Sequence, residues 1–498
     1  MSSRHERLPV NNPECLPSDR FVDNEMTVSE TVPAVTFVCD APALGKSASP
    51  NGDSASPQSV SNFVRTLFRL LDESAVRYCV LHSWDQLPDH LSSDLDLAIH
   101  PDDKPAVPAI LESLRQNGYT PYHWKNYATK GHSFYFFWTA GSTPHTVAVD
   151  IIFEHRRAGM IFASGEKLVS SRIRHRGFWI AAPEIEYSYL LAKKAVKGKA
   201  SLSQALRLKK LVETLGREKA GEIAGEIFQP NVQARIVDAC AQGSIDAELH
   251  TLNNNKSSRV FRSGDAPDLI RYWAGELRRA FWRSSEPAGI LLAFMGPDGA
   301  GKSTVIEGLT QEFAIPLRRR ILFHWRPEML ARRRDNNPVT EPHGQTPRGI
   351  LASMVYLSAV FADCWAGYLF VIWARLVRSD FVQFDRYFHD VLVDSLRYRY
   401  GGPAWYAAFL CRLLPEPDVV ILLDADADLI FARKSELSRA EIQRQRAAYR
   451  QLRFRRARVV YVATDAGIQP TLLASATALV DFMQERFQHR IADWMKVA

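Results

Sequence analysis

The sequence predicts an α/β protein: a parallel sheet flanked by helices in the C-terminal half, preceded by a smaller α+β domain and a disordered N-terminal leader. Three observations predict it. Gly296-Pro-Asp-Gly-Ala-Gly-Lys-Ser303 sits between a short apolar run, Ile290–Met295, and a helical stretch, Val305–Phe313. Two more apolar runs, Phe381–Phe384 and Asp418–Asp424, have the character of strands buried on both faces, as parallel sheets require. Farther upstream, strand-like runs carry isolated acids, Asp94 and Asp96 in one and Asp150 in another.

A chain of 498 residues suits two or three domains. We read residues 1–58 as the leader, 59–215 as the first domain, 216–285 as a helical region and linker, and 286–498 as the second domain. The net charge of +7 suits phosphate-bearing ligands, and no long block of Lys and Arg points to nucleic acid. None of the six cysteines forms a CxxC pair, so free thiols in a reducing compartment, the cytoplasm, are expected. No apolar run follows Met1-Ser-Ser-Arg-His-Glu-Arg7, so no signal peptide is expected. The stretch Met354–Val377 is long and apolar, but Asp363 and Arg375 would be costly in a bilayer. A buried helix is the expectation there, with a peripheral membrane contact as the alternative.

Taken in order, the leader is rich in Ser, Pro, Asn and Asp, as in Asn51-Gly-Asp-Ser-Ala-Ser-Pro57, with one short strand-like stretch at Val32–Cys39. Val60–Ser74 has helical periodicity, with Phe63, Leu67, Leu70 and Leu71 on one face. Arg77–Leu81 reads as a strand, His82–Ser93 as a loop, and Asp94–Ile99 as a second strand. Asp94 and Asp96 are two apart and so project from one face. Thr146–Phe153 is a third strand with Asp150 at its centre. Two acids on one strand and a third on a neighbour can bridge Mg²⁺ ions that clamp a triphosphate. Helices follow at Pro183–Lys197 and Ser203–Leu215; Lys193, Lys194 and Lys197 read as a solvated face, with a phosphate contact as the alternative. Asn253–Ser258 reads as a loop or linker.

In the second half, Gly296–Ser303 fits the P-loop pattern G-x-x-x-x-G-K-[ST]. Its glycines let backbone N–H groups turn toward a phosphate chain, and the helix after it adds its dipole. Lys302 would reach the β- and γ-phosphates of ATP, and Ser303 would hold Mg²⁺. Arg320–Trp325 is a candidate strand, and a basic loop with Arg332, Arg333 and Arg334 runs on to Arg348. Asp385 ends the strand Phe381–Phe384, where α/β sheets place ligand groups; it can order Mg²⁺, while Arg386 can fork onto a phosphate. Leu429–Leu437 is a helix with Arg433, and a second Arg-rich helix opens at Ser438-Arg439. Arg456–Val462 is the last strand and Thr471–Phe487 the last helix.

These residues carry two resemblances. Gly296–Thr304, Asp385-Arg386-Tyr387, Leu423-Asp424 with Arg433, and Thr464-Asp465-Ala466 together resemble a thymidylate-kinase-like P-loop kinase over residues 288–490. That resemblance implies a P-loop NTPase fold. It implies ATP phosphates on Gly296, Asp298, Gly299, Ala300, Gly301, Lys302, Ser303 and Thr304, and adenine against Asp465. It also implies catalytic roles for Lys302, Asp385, Arg386, Arg433 and Arg439, with Arg386 on the acceptor phosphate and the lid arginines over the γ-phosphate. The family's acceptor segment is only echoed by Glu341-Pro342-His343-Gly344, and the residues after Tyr387 differ. Ser83, Asp94, Asp96 and Asp150, within 60–215, are similar to the nucleotidyltransferase superfamily of the polymerase-β type, with His82 where that family has glycine. Asp94, Asp96 and Asp150 would there hold metal, as Ser303 and Asp385 would in the second half. The ensemble looks like a bacterial subgroup that accompanies surface-polysaccharide genes.

The expected function is an ATP·Mg²⁺-dependent phosphotransferase acting on a nucleotide or a phosphorylated sugar. The alternatives are a nucleotidyltransferase working through Asp94, Asp96 and Asp150, or a nucleotide-binding regulatory protein of surface-polysaccharide assembly. Expected partners are a nucleotide and a phosphorylated acceptor. A homodimer and polysaccharide-assembly or membrane partners stay open, and no nucleic acid is expected.

Overall fold

The computed structural model describes residues 59–128, 131–141, 143–157, 160–254, 266–330 and 343–497. All belong to one compact unit, Asp53–Ala498. The leader, the strand expected at Val32–Cys39, the linker residues 255–265 and the basic loop as far as 342 lie outside the described residues.

A seven-stranded mixed sheet organises the first half. Helix α1 (Val60–Glu73) is capped by Ser59, which accepts the Asn62 N–H, and buries the face of Phe63, Leu67, Leu70 and Leu71 that its periodicity predicts. Strands β1 (Tyr78–Val80) and β2 (Leu95–Ile99) pair antiparallel. After α2 (Val107–Gln116), strands β3 (Thr120–Ala128), β4 (Gly131–Ala140) and β5 (Thr143–Ile152) form an antiparallel meander. The return of β5 beside β2 is parallel and sets Asp150 directly opposite Asp96. A small hairpin, β6 (His155–Arg157) and β7 (Met160–Ala163), then α3 (Gly165–Ser170) and a hairpin of β8 (Ile173–His175) and β9 (Phe178–Ile180) complete the order β3-β4-β5-β2-β1-β9-β8. Neither β3 nor β4 is anticipated by the sequence reading. Every residue of β4 from Gly131 to Trp138 is buried, so the alternation that marks a half-exposed strand is missing.

Helices α4 (Pro183–Lys197), α5 (Leu202–Leu215), α6 (Arg217–Ile227), α7 (Pro230–Gln242) and α8 (Ile245–Asn254) follow. They share a core of Leu191, Leu208, Ile223, Ile236 and Leu249. Pro183 opens α4 and left-handed Gly198 closes it, the usual asymmetry of helix ends. Helix α9 (Ala266–Ser285) leads into the second half.

There a five-stranded parallel sheet forms: β10 (Ile290–Met295), β11 (Arg320–His324), β12 (Phe381–Asp385), β13 (Val419–Asp424) and β14 (Arg458–Ala463). Their order is β11-β12-β10-β13-β14. The chain therefore leaves β10 toward one edge and later returns to build the other. That reversal leaves a crevice beyond the C-terminal end of β10, the position where open α/β sheets bind ligands. Around the sheet run α10 (Lys302–Glu312), α11 (Ile350–Gly367) continuing through a π-helical turn into α12 (Trp373–Val377), α13 (Ala404–Leu413), α14 (Ala427–Arg433), α15 (Arg439–Gln451) and α16 (Ile468–Val497). Helix α16 serves both sheets: Leu479, Val480 and Met483 pack with Leu292 and Phe294 of β10, and Phe487 packs with Phe134 of β4.

The apolar stretch expected to be a buried helix is buried on one side only. Leu357, Val360, Ile372 and Leu376 face the core, but Leu351, Val355 and Phe370 are 78%, 71% and 75% exposed. By length and composition alone, Ile350–Val377 passes as a helix able to cross a membrane. Asp363 is not a stray charge in it: its carboxylate is buried and accepts the N–H groups of Glu328 at 3.0 Å and Leu330 at 2.6 Å.

Candidate functional site

The glycine loop fills the crevice at the end of β10. Gly296 has φ 144°, and a Cβ there would lie 2.3 Å from the Leu423 carbonyl oxygen, so no other residue fits. Gly299 and Gly301 also have positive φ, 89° and 90°. Helix α10 begins at Lys302, three residues before the predicted start, because the left-handed Gly301 serves as its N-cap. Ser303 and Thr304 are exposed in its first turn, and Ala300 is buried beneath the loop. The first-turn N–H groups of a helix lack intrahelical partners, so a loop of this kind can hold a phosphate chain.

Lys302 is buried and folds back over the loop, donating to the carbonyls of Gly296 and Pro297 at 2.9 Å each. Burial, reinforced by the Arg386 charge, pushes its ammonium down to about 8. Asp385 ends β12 beside the loop, level with Phe294 of β10. Burial pushes its carboxyl up, but the His324 ring 3.1 Å from Oδ2 and the Lys302 charge outweigh this and hold it below the usual range. Its Oδ1 is buried and has no partner among the described residues. A buried carboxylate oxygen left open, with the Ser303 hydroxyl at the head of α10, fits a hard cation such as Mg²⁺.

Arg386, with φ 71°, turns away from solvent. It donates to Asp390 at 2.6 Å, to the Tyr449 hydroxyl at 3.3 Å and to Asp298 of the glycine loop. Asp298 also takes Arg397 and lies 3.4 Å from Lys302. Burial opposes its charge, but these three cations hold Asp298 far below the usual carboxylate range. Asp390 further accepts the hydroxyls of Tyr398, at 2.7 Å, and Tyr449. Arg397, Tyr398 and Tyr449 are thus part of the site, and no local motif marks them.

The remaining predicted residues stand apart. Arg433 donates to the Thr464 hydroxyl and carbonyl at 3.1 and 3.0 Å, while Asp465 accepts the Asp426 N–H at 2.9 Å. Arg439 is exposed, ion-paired with Asp428 at 2.5 Å and stacked on Phe431. Among the described residues no hydrogen bond or ion pair joins Arg433 or Arg439 to Lys302, Asp385 or Arg386. The arginines that do reach a strand end are Arg446 and Arg450 of α15, both on Asp424 of β13, at 2.6 and 2.5 Å.

The first-half acids form a second cluster. Parallel pairing sets Asp96 and Asp150 side by side, and Ser133 of β4 lies opposite Asp150 on its other flank. Asp94 is exposed just before β2. Asp96 is buried and already occupied: His82 Nε2 lies 2.8 Å from Oδ2, Lys193 Nζ lies 3.2 and 3.3 Å from the two oxygens, and the Tyr189 hydroxyl donates at 3.1 Å. Burial opposes the Asp96 charge, yet Lys193 and His82 hold its carboxyl well below the usual range. Burial and the neighbouring Asp96 charge push Asp150 up to about 7. Lys193 is therefore not part of a solvated face, and Lys194 is buried too. His82 points its ring at Asp96 and holds Ser83 Oγ 2.8 Å from Nδ1. A metal on Asp96 would have to displace an ammonium and an imidazole, so these residues do not fit the Mg²⁺ pair expected of Asp94, Asp96 and Asp150.

This cluster carries a stability prediction. Lys193→Met leaves the buried Asp96 carboxylate with His82 as its one basic partner. A loss of about 3 kcal/mol is expected, the low end of the range for a broken buried pair. Urea unfolding checks it, and adding Asp96→Asn should restore most of the loss. A midpoint unchanged by Lys193→Met would count against a structural Lys193–Asp96 pair.

Compared with known proteins, the chain matches no protein-family model and no curated sequence.

Proposed function

We propose that the chain is an ATP- and Mg²⁺-dependent phosphotransferase of the P-loop, thymidylate-kinase-like class, acting in the cytoplasm through its C-terminal half. One observation carries the reading: a loop of positive-φ glycines with a buried lysine folded into it, at the sheet's point of reversal and beside a strand-end carboxylate. ATP phosphates would lie on Gly296–Thr304, with Lys302 leaving the loop carbonyls to meet them. Ser303 and Asp385 would hold Mg²⁺, which supplies neutralising charge on the phosphate oxygens. Arg386 and Arg397 fix Asp298 and hence the loop's shape. Phosphoryl transfer asks mainly for positioning and charge, and this cluster provides both without a covalent nucleophile.

The test is ³¹P NMR of the purified protein with Mg·ATP and a set of acceptors. ADP with a new phosphoryl product is the expected result. Pyrophosphate would favour the second reading, a nucleotidyltransferase in the first half, for which the Asp96–Asp150 register speaks and the Lys193 contact speaks against. An unchanged ATP spectrum despite binding would favour the regulatory reading.

A further inference from the structure

Apart from the residues used above, one group of titratable side chains stands out. His343, Asp394 and Glu441 bring ligand-type atoms within 4.8 Å of one another. They come from three places: the segment before α11, the turns after β12, and the first turn of α15. A metal is the obvious reading, but the charges are already balanced. Arg444 grips Glu441 with two nitrogens, at 2.7 and 2.8 Å. Arg397 Nε lies 3.5 Å from Asp394, and Gln445 donates to both carboxylates, at 3.2 and 3.0 Å. Two carboxylates against two guanidiniums leave no charge for a cation to neutralise.

What remains is a histidine oriented by a carboxylate. Asp394 is 2% exposed, and its Oδ1 lies 2.8 Å from His343 Nε2. The Arg397 backbone N–H, donating to the same oxygen at 3.2 Å, fixes that carboxylate further. A buried acceptor on one ring nitrogen keeps the proton there and leaves the other as a base. The His343 side chain is 24% exposed, and Nδ1 has no partner among the described residues. The dyad is tied to the glycine loop by one side chain, because Arg397 contacts both Asp394 and Asp298.

The same network bears on the acceptor. A phosphate acceptor needs spare positive charge, yet among the described residues of this network Arg386 is spent on Asp390 and Asp298, Arg397 on Asp298 and Asp394, and Arg444 on Glu441. A neutral hydroxyl needs no such charge, but it must lose a proton, which a phosphate acceptor has already done. Resting on the kinase reading above, we infer that the phosphoryl acceptor is an alcohol, such as a sugar hydroxyl, and that His343 held by Asp394 is its general base. The acceptor oxygen bonds to the γ-phosphorus of ATP and its proton passes to His343 Nδ1. The bond from that phosphorus to the β–γ bridging oxygen breaks, and its electron pair leaves with ADP. The proton then goes to water, and the product is a phosphate monoester.

The experiment uses the full chain with Mg·ATP and two acceptor panels: glycerol, inositol, glucose and mannose against dTMP, UMP and glucose 1-phosphate. Product linkage is read by ³¹P NMR, and ATP binding by a fluorescent ATP analogue. The expected result is a monoester. His343→Gln should lower kcat by about 10²–10⁴ with the KM for ATP within about twofold, the usual size of a general-base effect. A diphosphate product, or wild-type kcat in His343→Gln, overturns the inference while sparing the kinase reading; ATP binding without any phosphoryl product overturns both. Absence of ATP binding overturns both. Should His343→Gln not fold, His343→Ala with and without added imidazole decides: monoester formation restored by imidazole supports the base, and wild-type kcat without imidazole overturns it.

Discussion

Lys302→Ala is expected to lower ATP turnover by at least about 100-fold, the effect typical of removing one preorganised charge from a transition-state site. The fold should survive. Lys302 donates to two loop carbonyls, but Asp298 keeps Arg386 and Arg397, and Gly296 stays fixed by its contact with Leu423. The prediction is checked by coupled ADP release alongside circular dichroism of the variant; unchanged turnover would remove the glycine loop from the chemistry. A pH dependence goes with it. Burial places the Lys302 ammonium at about 8, so below that pH it is charged and above it neutral. In the free protein, kcat/KM for ATP should therefore fall as pH rises through about 8. Lys302→Arg should move that fall to higher pH, whatever its effect on the rate.

Asp390→Asn is expected to cost about 3–5 kcal/mol, as does removing one partner of a buried ion pair. Asp390 is fully buried and Arg386 is 3% exposed. The carboxylate takes one guanidinium nitrogen and two tyrosine hydroxyls. An amide has one acceptor oxygen in place of two, and its NH₂ would face Arg386 or a hydroxyl as a competing donor. The loss appears as a lower urea midpoint at unchanged slope. A change below about 1 kcal/mol would mean that Asp298 alone satisfies Arg386. Because Arg386 also shapes the glycine loop, weaker ATP binding should accompany the loss.

What the sequence made legible was local. The glycine loop reads from consecutive residues, although the carbonyl that forces glycine at position 296 belongs to Leu423, far along the chain. The type and order of the strands that bear Asp96, Asp150 and Asp385 were legible from short apolar runs. The partners of those acids were not. Lys193 lies on a helix far along the chain, and its charge reads as a solvated face until the sheet register brings Asp96 beneath it. Asp390 meets Tyr449, and Asp394 meets His343 and Gln445, across distant stretches of chain. Nothing in the periodicity of α15 says which of its polar residues faces inward. The double burial of β4 and the bare side of α11 fail for a related reason: hydropathy measures what a residue prefers, and only packing shows whether it gets it.

Helix α16 closes the core of the first half with residues from the end of the chain. Arg490 lies over Trp124 and Trp282, and Phe487 sits against Phe134. On the ribosome, strands β3 and β4 emerge tens of seconds before Phe487 does, at about 5–20 residues per second. During that interval the nascent first half carries an uncovered aromatic surface. The core of the first half is therefore complete only once the chain as far as Phe487 and Arg490 has been made, so the two halves are expected to mature together rather than one after the other.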